Sequence, residues 1–556
     1  MPTTECTALA HSQGPSLTRW QLLGAVTLAT LSICTLAASA PKMSRMLHTP
    51  AASKHIPVKS TQSRPISLAP SGTQRRSSLE HIVTSIPLVR HAHAEQQTSW
   101  ETQQRRATSE IQASLTWALF MGAGSLALAL TGMRTLWAGS PSPMHQMAMA
   151  ATVSTRDVKV APPKEYIPGT VHISDSFDAG NIICEETSVD AVRLRIKPDP
   201  YTAGTDNCHH MQWFYFRASN VKGRKVKYDI VNAGDASYKS AWPGYNTCAS
   251  YDRRAWFRVR DTEFSEETGS LSWSLDAEHE TVWFAYFAPY SYEQHQELIA
   301  RVAASPLARL VVLGDTLDGR PLEMLTMGTG PRKVWIVARQ HPGESMAEWL
   351  AQGVLDKLFD DSAESQVLMS AATFYIIPNI NPDGSVRGHL RTNASGANLN
   401  REWASTGDYM APTLERSPEV YHTLRALDAL GCDCYVDVHG DEEIAANFFA
   451  DNAGIPGYST RQDKLHKDFL AAMMAASDEF QTELGYGSDE PNMANMAICQ
   501  NQIAARFDCL AVTLEMPFKD NLNKPDLIHG WSPERSMRLG HSLLSAIGTM
   551  LPALRG

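Results

Sequence analysis

Three short apolar runs each lead into a side chain able to bind a cation or carry a proton, and this pattern narrows the fold more than any other feature. Val334 to Ala338 leads into His341 and Glu344, Cys434 to Val438 into His439, and Leu510 to Leu514 into Glu515. Short apolar runs between helical patterns read as buried strands of an α/β sheet. Parallel strands present their carboxyl ends at one edge, where active sites gather. Helices are predicted over 344–358, 417–430, 461–484 and 533–551, the last started by Ser532 as N-cap and Pro533 at the first helical position. Strands are predicted at 308–313, 322–327, 333–338, 371–377, 433–438 and 509–514. The expected architecture of residues 296–556 is a mixed sheet flanked by helices, an α/β/α sandwich.

His341 and Glu344 share one short turn, Ala338-Arg339-Gln340-His341-Pro342-Gly343-Glu344. An imidazole and a carboxylate so placed can hold one zinc ion while leaving it open to substrate. The spacing alone is weak, because His439 and Glu442 repeat it. A third ligand should come from a rigid element, and His439 at a strand end qualifies. Glu515, emerging from an apolar strand, is placed to take a proton from an activated water and pass it to a leaving amine. Between these elements lie Asn381-Pro382-Asp383-Gly384, Arg387, Arg391 and Asn398-Leu399-Asn400-Arg401-Glu402-Trp403, a long stretch with little apolar periodicity. Each residue also has a structural reading. A strand-end histidine is often only hydrogen-bonded, Glu515 could pair with Lys519, and Arg387, Arg391 and Arg401 could form a solvated loop face. His389, His422, His466 and His529 read as structural.

Taken in order, the His-Pro-Gly-Glu turn, Asn-Pro-Asp-Gly, Asn-Leu-Asn-Arg, the His439-Gly-Asp-Glu segment and Leu514-Glu515-Met516-Pro517-Phe518 resemble the zinc carboxypeptidase family, the relatives of carboxypeptidase A, and within it the cytosolic carboxypeptidase branch. The resemblance covers roughly residues 165 to 552. It implies one zinc ion per chain held by His341, Glu344 and His439, with Glu515 as general base. It further implies that Arg391 polarises the scissile carbonyl, that Asn400 and Arg401 clamp the substrate's terminal carboxylate, and that Tyr486 stands nearest to the tyrosine such relatives place above the scissile bond. A guanidinium beside an amide donor suits recognition of a free carboxylate. A cation aimed at the developing oxyanion suits Arg391. The implied partners are the C-terminal tails of peptides or proteins. An amidohydrolase of small N-acyl amino acids and a non-catalytic tail-binding protein remain as alternatives.

The chain has 556 residues and nine cysteines with no Cys-x-x-Cys pair, which argues against a disulfide framework. Charge divides it. Residues 1–150 carry 12 Lys and Arg against 5 Asp and Glu, with no Asp, whereas the remainder carries 37 against 54. Residues 1–160 therefore read as an extension, with apolar stretches at about 20–41 and 111–133 that are long enough to cross a bilayer. The first, ending near Ala37-Ala38-Ser39-Ala40, looks like a signal sequence, and the Arg-, Ser- and Thr-rich, acid-poor segment after it reads like a transit peptide. Together they resemble the presequences of proteins imported into complex plastids. The alternatives are a membrane-anchored precursor, with possible membrane association, a poorly structured extension, or a cytosolic catalytic part.

Residues 165–295 show short alternating segments, at 192–196, 212–217, 226–231, 256–259, 271–275 and 282–287, and predict an antiparallel β-sandwich. Its aromatic residues read as core and domain interface, with docking as a secondary role. No phosphate-binding Gly-rich loop and no basic stripe for nucleic acid is present. Ala497-Ile498-Cys499-Gln500-Asn501-Gln502, ahead of Glu515, offers no cation for a departing glutamate, and Arg506 is the nearest candidate.

Overall fold

The computed structural model describes residues 169–202, 210–404 and 411–555. Residues 332–338, 372–377, 434–438 and 510–515 form four mutually parallel strands at the centre of a seven-stranded sheet. Antiparallel strands complete it: Pro321–Met327 and Ala308–Asp315 on one side, Phe448–Ala450 on the other. Side-chain alternation assigns the two faces. Val334, Ile336 and Ala338 enter one apolar cluster with the helices Met346–Leu358 and Pro533–Met550. Trp335 and Val337 enter the other, with Pro418–Leu430 and Cys499–Phe507. Burial on both faces explains why these strands read as continuous apolar runs. The expected α/β/α arrangement is present.

Helix boundaries follow local chemistry. Ser532 accepts a hydrogen bond from the Arg535 N–H with Pro533 at the first helical position, as its sequence predicts. Ser459 and Gln462 form a capping box for Thr460–Ala476, which ends at Ser477, short of the 484 expected. The Asn381–Trp403 stretch is more ordered than its composition suggests. Asn381 caps a short helix, Pro382–Arg387, and Gly388 at φ 71° ends it. The helices Tyr292–Ala303, Ala363–Ala371 and Cys499–Phe507 and the strand Phe448–Ala450 were not expected from the pattern.

Residues 172–285 form two five-stranded sheets, antiparallel except where Ala191–Arg195 runs parallel to Lys225–Ile230. Phe214, Phe216, Tyr228, Trp273 and Phe284 pack between them, with Tyr228 and Phe284 centroids 4.5 Å apart. The aromatic core continues into the larger sheet's surroundings: Tyr286 stacks on Phe518 at 4.6 Å. Buried Arg258 donates to the carbonyls of Phe518, Lys519, Trp531 and His529.

One expectation is corrected. Among the described residues no helix is long and apolar enough to cross a membrane. The longest of them, Pro533–Met550, is amphipathic and spends its apolar face on the core. The stretches at about 20–41 and 111–133, and the presequence read around them, lie outside the described residues.

The helices Met346–Leu358 and Pro533–Met550 approach closely at Gly353, where a Cβ would fall inside the contact radius of the Met537 carbonyl oxygen. Gly353→Ala should therefore destabilise the fold by about 1–3 kcal/mol, the range for overpacking a filled core. Thermal or denaturant unfolding checks this, and an unchanged midpoint would contradict the close approach.

Candidate active site

The parallel strands deliver their terminal residues to one edge. After Ala338 the chain reverses through Arg339, which adopts φ 64°, an uncommon conformation for a non-glycine residue. Three hydrogen bonds from buried Arg339 hold the reversal: Nε to the Pro342 carbonyl at 2.9 Å, and Nη1 to the Tyr290 carbonyl at 2.8 Å and to Glu348 at 2.7 Å. Glu348 also receives His295 at 2.6 Å and Asn379 at 3.0 Å. The turn bearing His341 and Glu344 thus rests on a fully buried polar network.

On that turn three expected ligands converge. His341 Nδ1 lies 2.6 Å from Glu344 Oε1, His439 Nδ1 lies 2.9 Å from Glu344 Oε2, and the two Nδ1 atoms are 3.2 Å apart. The outer nitrogens are already occupied. His341 Nε2 is 3.0 Å from Asn398 Oδ1, and His439 Nε2 is 2.9 Å from Asp437 Oδ2. Both partners are acceptors, so each ring carries a proton on Nε2 and turns its Nδ1 inward. Two Nδ1 atoms and a carboxylate facing one point, all buried, call for a cation or a proton between them. The donor set suits a divalent ion of borderline softness.

Electrostatics agree with this fit. Burial, reinforced by the Arg391 charge, pushes His341 down to about 3, so its ring is neutral. Burial opposes the ionised form of Glu344, yet His341 and His439 outweigh it and hold the carboxyl below its usual range. His439 is drawn up, because Asp437 and Glu344 overcome its burial. Glu442 and Glu515 are pushed well above the carboxylate range, first by burial and then, among other charges, by Glu344 and Asp441. The pocket is rich in acids and has room for positive charge.

Glu515 is buried, and its Oε2 has no hydrogen-bond partner. The expected structural alternative is absent: among the described residues Glu515 forms no ion pair, and Lys519 Nζ donates instead to the Pro243 carbonyl. The Tyr486 hydroxyl donates to Asp441 Oδ2 and lies 3.4 Å from Glu515 Oε1. Asn400 Oδ1 accepts the Cys499 N–H at 2.8 Å, leaving the amide NH2 without a partner among the described residues. Arg401 Nη1 donates to the Asn400 carbonyl and Arg391 Nη1 to the Tyr238 hydroxyl. Neither guanidinium has a carboxylate within ion-pair distance among the described residues. Arg387 differs: Asp318 engages it at 2.6 Å, as a structural loop residue. His389 and His529 are likewise structural, bonded to the Thr392 carbonyl and to Asp526.

Two model matches bear on this geometry: a cytosolic carboxypeptidase N-terminal domain over residues 173–287 and a zinc carboxypeptidase over 295–536. An uncharacterised protein of Zymomonas mobilis is 43% identical over 386 residues, 69% of this chain and 98% of its own length. The chain belongs to the zinc carboxypeptidase family. It is a metallocarboxypeptidase of that zinc-dependent family. The metallo-carboxypeptidase of Burkholderia cenocepacia is 42% identical with TM-score 0.63, covering 68% of this chain and 97% of the other. The Pseudomonas aeruginosa metallo-carboxypeptidase, solved with (2-guanidinoethylmercapto)succinic acid, is 39% identical with TM-score 0.65, covering 69% of this chain and all of the other. Mouse cytosolic carboxypeptidase 3 is 28% identical over 313 residues, half of this chain, which spans only 30% of that longer protein.

Several partners of the site escaped the sequence reading: Asn398, Asp437, Arg339 and Glu348. Asp437 left a signal, as an acid inside a run that is otherwise apolar and, in the structure, fully buried. Outer hydrogen bonds of this kind orient metal-binding imidazoles. Asp437→Asn should lower zinc affinity about 10–100-fold, measured by competition with a chromogenic chelator; an unchanged affinity would remove Asp437 from the site.

Proposed function

We propose that this metallocarboxypeptidase hydrolyses the C-terminal peptide bond of peptides or protein tails, with zinc held by His341, Glu344 and His439. The observation that carries the reading is the inward meeting of two Nδ1 atoms and one carboxylate, beside two guanidinium groups that lack a carboxylate partner among the described residues. When bound, zinc supplies Lewis acidity, polarising a carbonyl and making water nucleophilic at neutral pH. Glu515 takes the proton of the attacking water and returns it to the departing amine. Burial and the neighbouring acids raise its pKa, and a cation held by His341, Glu344 and His439 would favour the ionised form that accepts the proton. Arg391 faces the developing oxyanion, while Arg401 and the NH2 of Asn400 receive the terminal carboxylate through charge-assisted hydrogen bonds. Tyr486 closes the substrate side, its hydroxyl held beside Glu515 by Asp441.

The same reading divides the described chain near residue 295, between a β-sandwich and a catalytic domain, with residues 1–160 as a separate extension. The family matches fall on either side of residue 295 and do not favour the amidohydrolase or the non-catalytic alternative. On substrate, Arg506 is held by Asp428 through two contacts of 2.7 Å. Gln500, Asn501 and Gln502 leave the first turn of that helix without a cation. This arrangement supports uncharged departing residues over glutamate.

Peptides that differ only in a free or amidated C-terminus test the assignment. Cleavage should be confined to the free acid, and equal rates would exclude an exopeptidase. Glu515→Gln should retain zinc while kcat falls at least about 100-fold. Arg401→Ala should instead raise KM by about tenfold or more, the loss expected for a charged hydrogen bond, with kcat less affected. Zinc analysis and steady-state kinetics on the two variants separate these roles.

A further inference from the structure

The segment carrying Arg391 is held from outside the catalytic sheet. Asp199, which follows the strand Ala191–Arg195 of the β region, is 4% exposed. Its carboxylate accepts four hydrogen bonds from three consecutive residues. The Leu390 N–H meets Oδ1 at 2.7 Å, while the Arg391 N–H, the Thr392 N–H and the Thr392 hydroxyl meet Oδ2 at 2.9, 2.9 and 3.0 Å. Successive amides converging on one anion fix the backbone at all three residues.

The guanidinium of Arg391 is held separately. Its Nη1 donates to the Tyr238 hydroxyl at 2.8 Å. Tyr238 is itself pinned through its backbone: its N–H donates to Gln212 Oε1 at 2.8 Å and its carbonyl accepts from Gln212 Nε2 at 3.1 Å. Fully buried Gln212 also donates to the Tyr286 hydroxyl at 2.9 Å. Burial keeps the Tyr238 phenol protonated, raising it against the lowering effect of Arg391. A long arginine stem loses its reach and aim unless both ends are restrained. Asp199 restrains one end and Tyr238 the other.

We propose that Asp199 and Tyr238 are positioning residues that aim Arg391 at the scissile carbonyl, so that the β region is a working part of the active site. The role of Arg391 itself rests on the carboxypeptidase reading above. The positioning does not, because it is visible in the protein without substrate. A domain serving only for docking would have no reason to place a buried carboxylate and a phenol on this one residue.

The full-length chain tests this with N-acylated dipeptides bearing a free C-terminus. Tyr238→Phe removes a single oxygen. It should lower kcat about 10–100-fold, the cost of misaligning one reacting group, with KM within about threefold and zinc content unchanged. In an Arg391→Ala background the same change should alter kcat by less than about twofold, because two residues acting through one group are not additive. Equal losses in both backgrounds would overturn the proposal. A second measurement needs no activity. Asp199→Asn should speed amide exchange at Leu390, Arg391 and Thr392 at least about tenfold, leaving exchange in the strand Cys434–Val438 unchanged. Unchanged exchange at 390–392 would overturn the positioning. A wild-type chain that cleaves none of the dipeptides would refute the carboxypeptidase reading, and the exchange result would still stand on its own.

Discussion

The site depends on two imidazoles that turn their Nδ1 atoms toward one another. The Nδ1 atoms of His341 and His439 lie 3.2 Å apart beside a buried carboxylate, an arrangement that needs positive charge at its centre. They stay because their outer nitrogens are tied to Asn398 and Asp437, and because Arg339, at a strained backbone angle, fastens the turn to Glu348. Such pre-organisation is costly in a folded chain and is kept where a ligand repays it.

The sheet makes this convergence possible. Parallel neighbours in register put Ala338 beside Val438 and Val438 beside Leu514, so the residues that follow them share an edge. His341, Glu344, His439 and Glu515, from distant parts of the chain, are thereby brought to one edge of the sheet. The loop carrying Arg391, Asn400 and Arg401 covers that edge. It is stiffened by Asn caps and, at its centre, by a carboxylate from the β region.

Much of this was legible in the sequence because burial leaves a strong compositional trace. The central strands are covered on both faces and so appear as unbroken apolar runs, and the candidate ligands follow their ends. The helix Thr460–Ala476 was overrun because apolar residues continue past its end, at Phe480, which packs in the core without helical backbone. The helix Pro382–Arg387 was hidden by its Pro and Gly, although Asn381 capping made it stable. What could not be read were long-range polar pairings. Asp199 and Arg391 are 192 residues apart, and nothing in the local pattern around Asp199 marks it as a partner. The Glu348 network is similar: its members look like ordinary helix or strand residues until the fold buries them together.

The central claim is that one zinc ion sits between His341, Glu344 and His439. X-ray absorption at the zinc edge on the purified chain tests it most directly. The account predicts one zinc per chain, bound by two imidazole nitrogens and oxygen donors, and lost in His439→Ala. A metal-free chain, thiolate ligation, or zinc retained undiminished in that variant would contradict it.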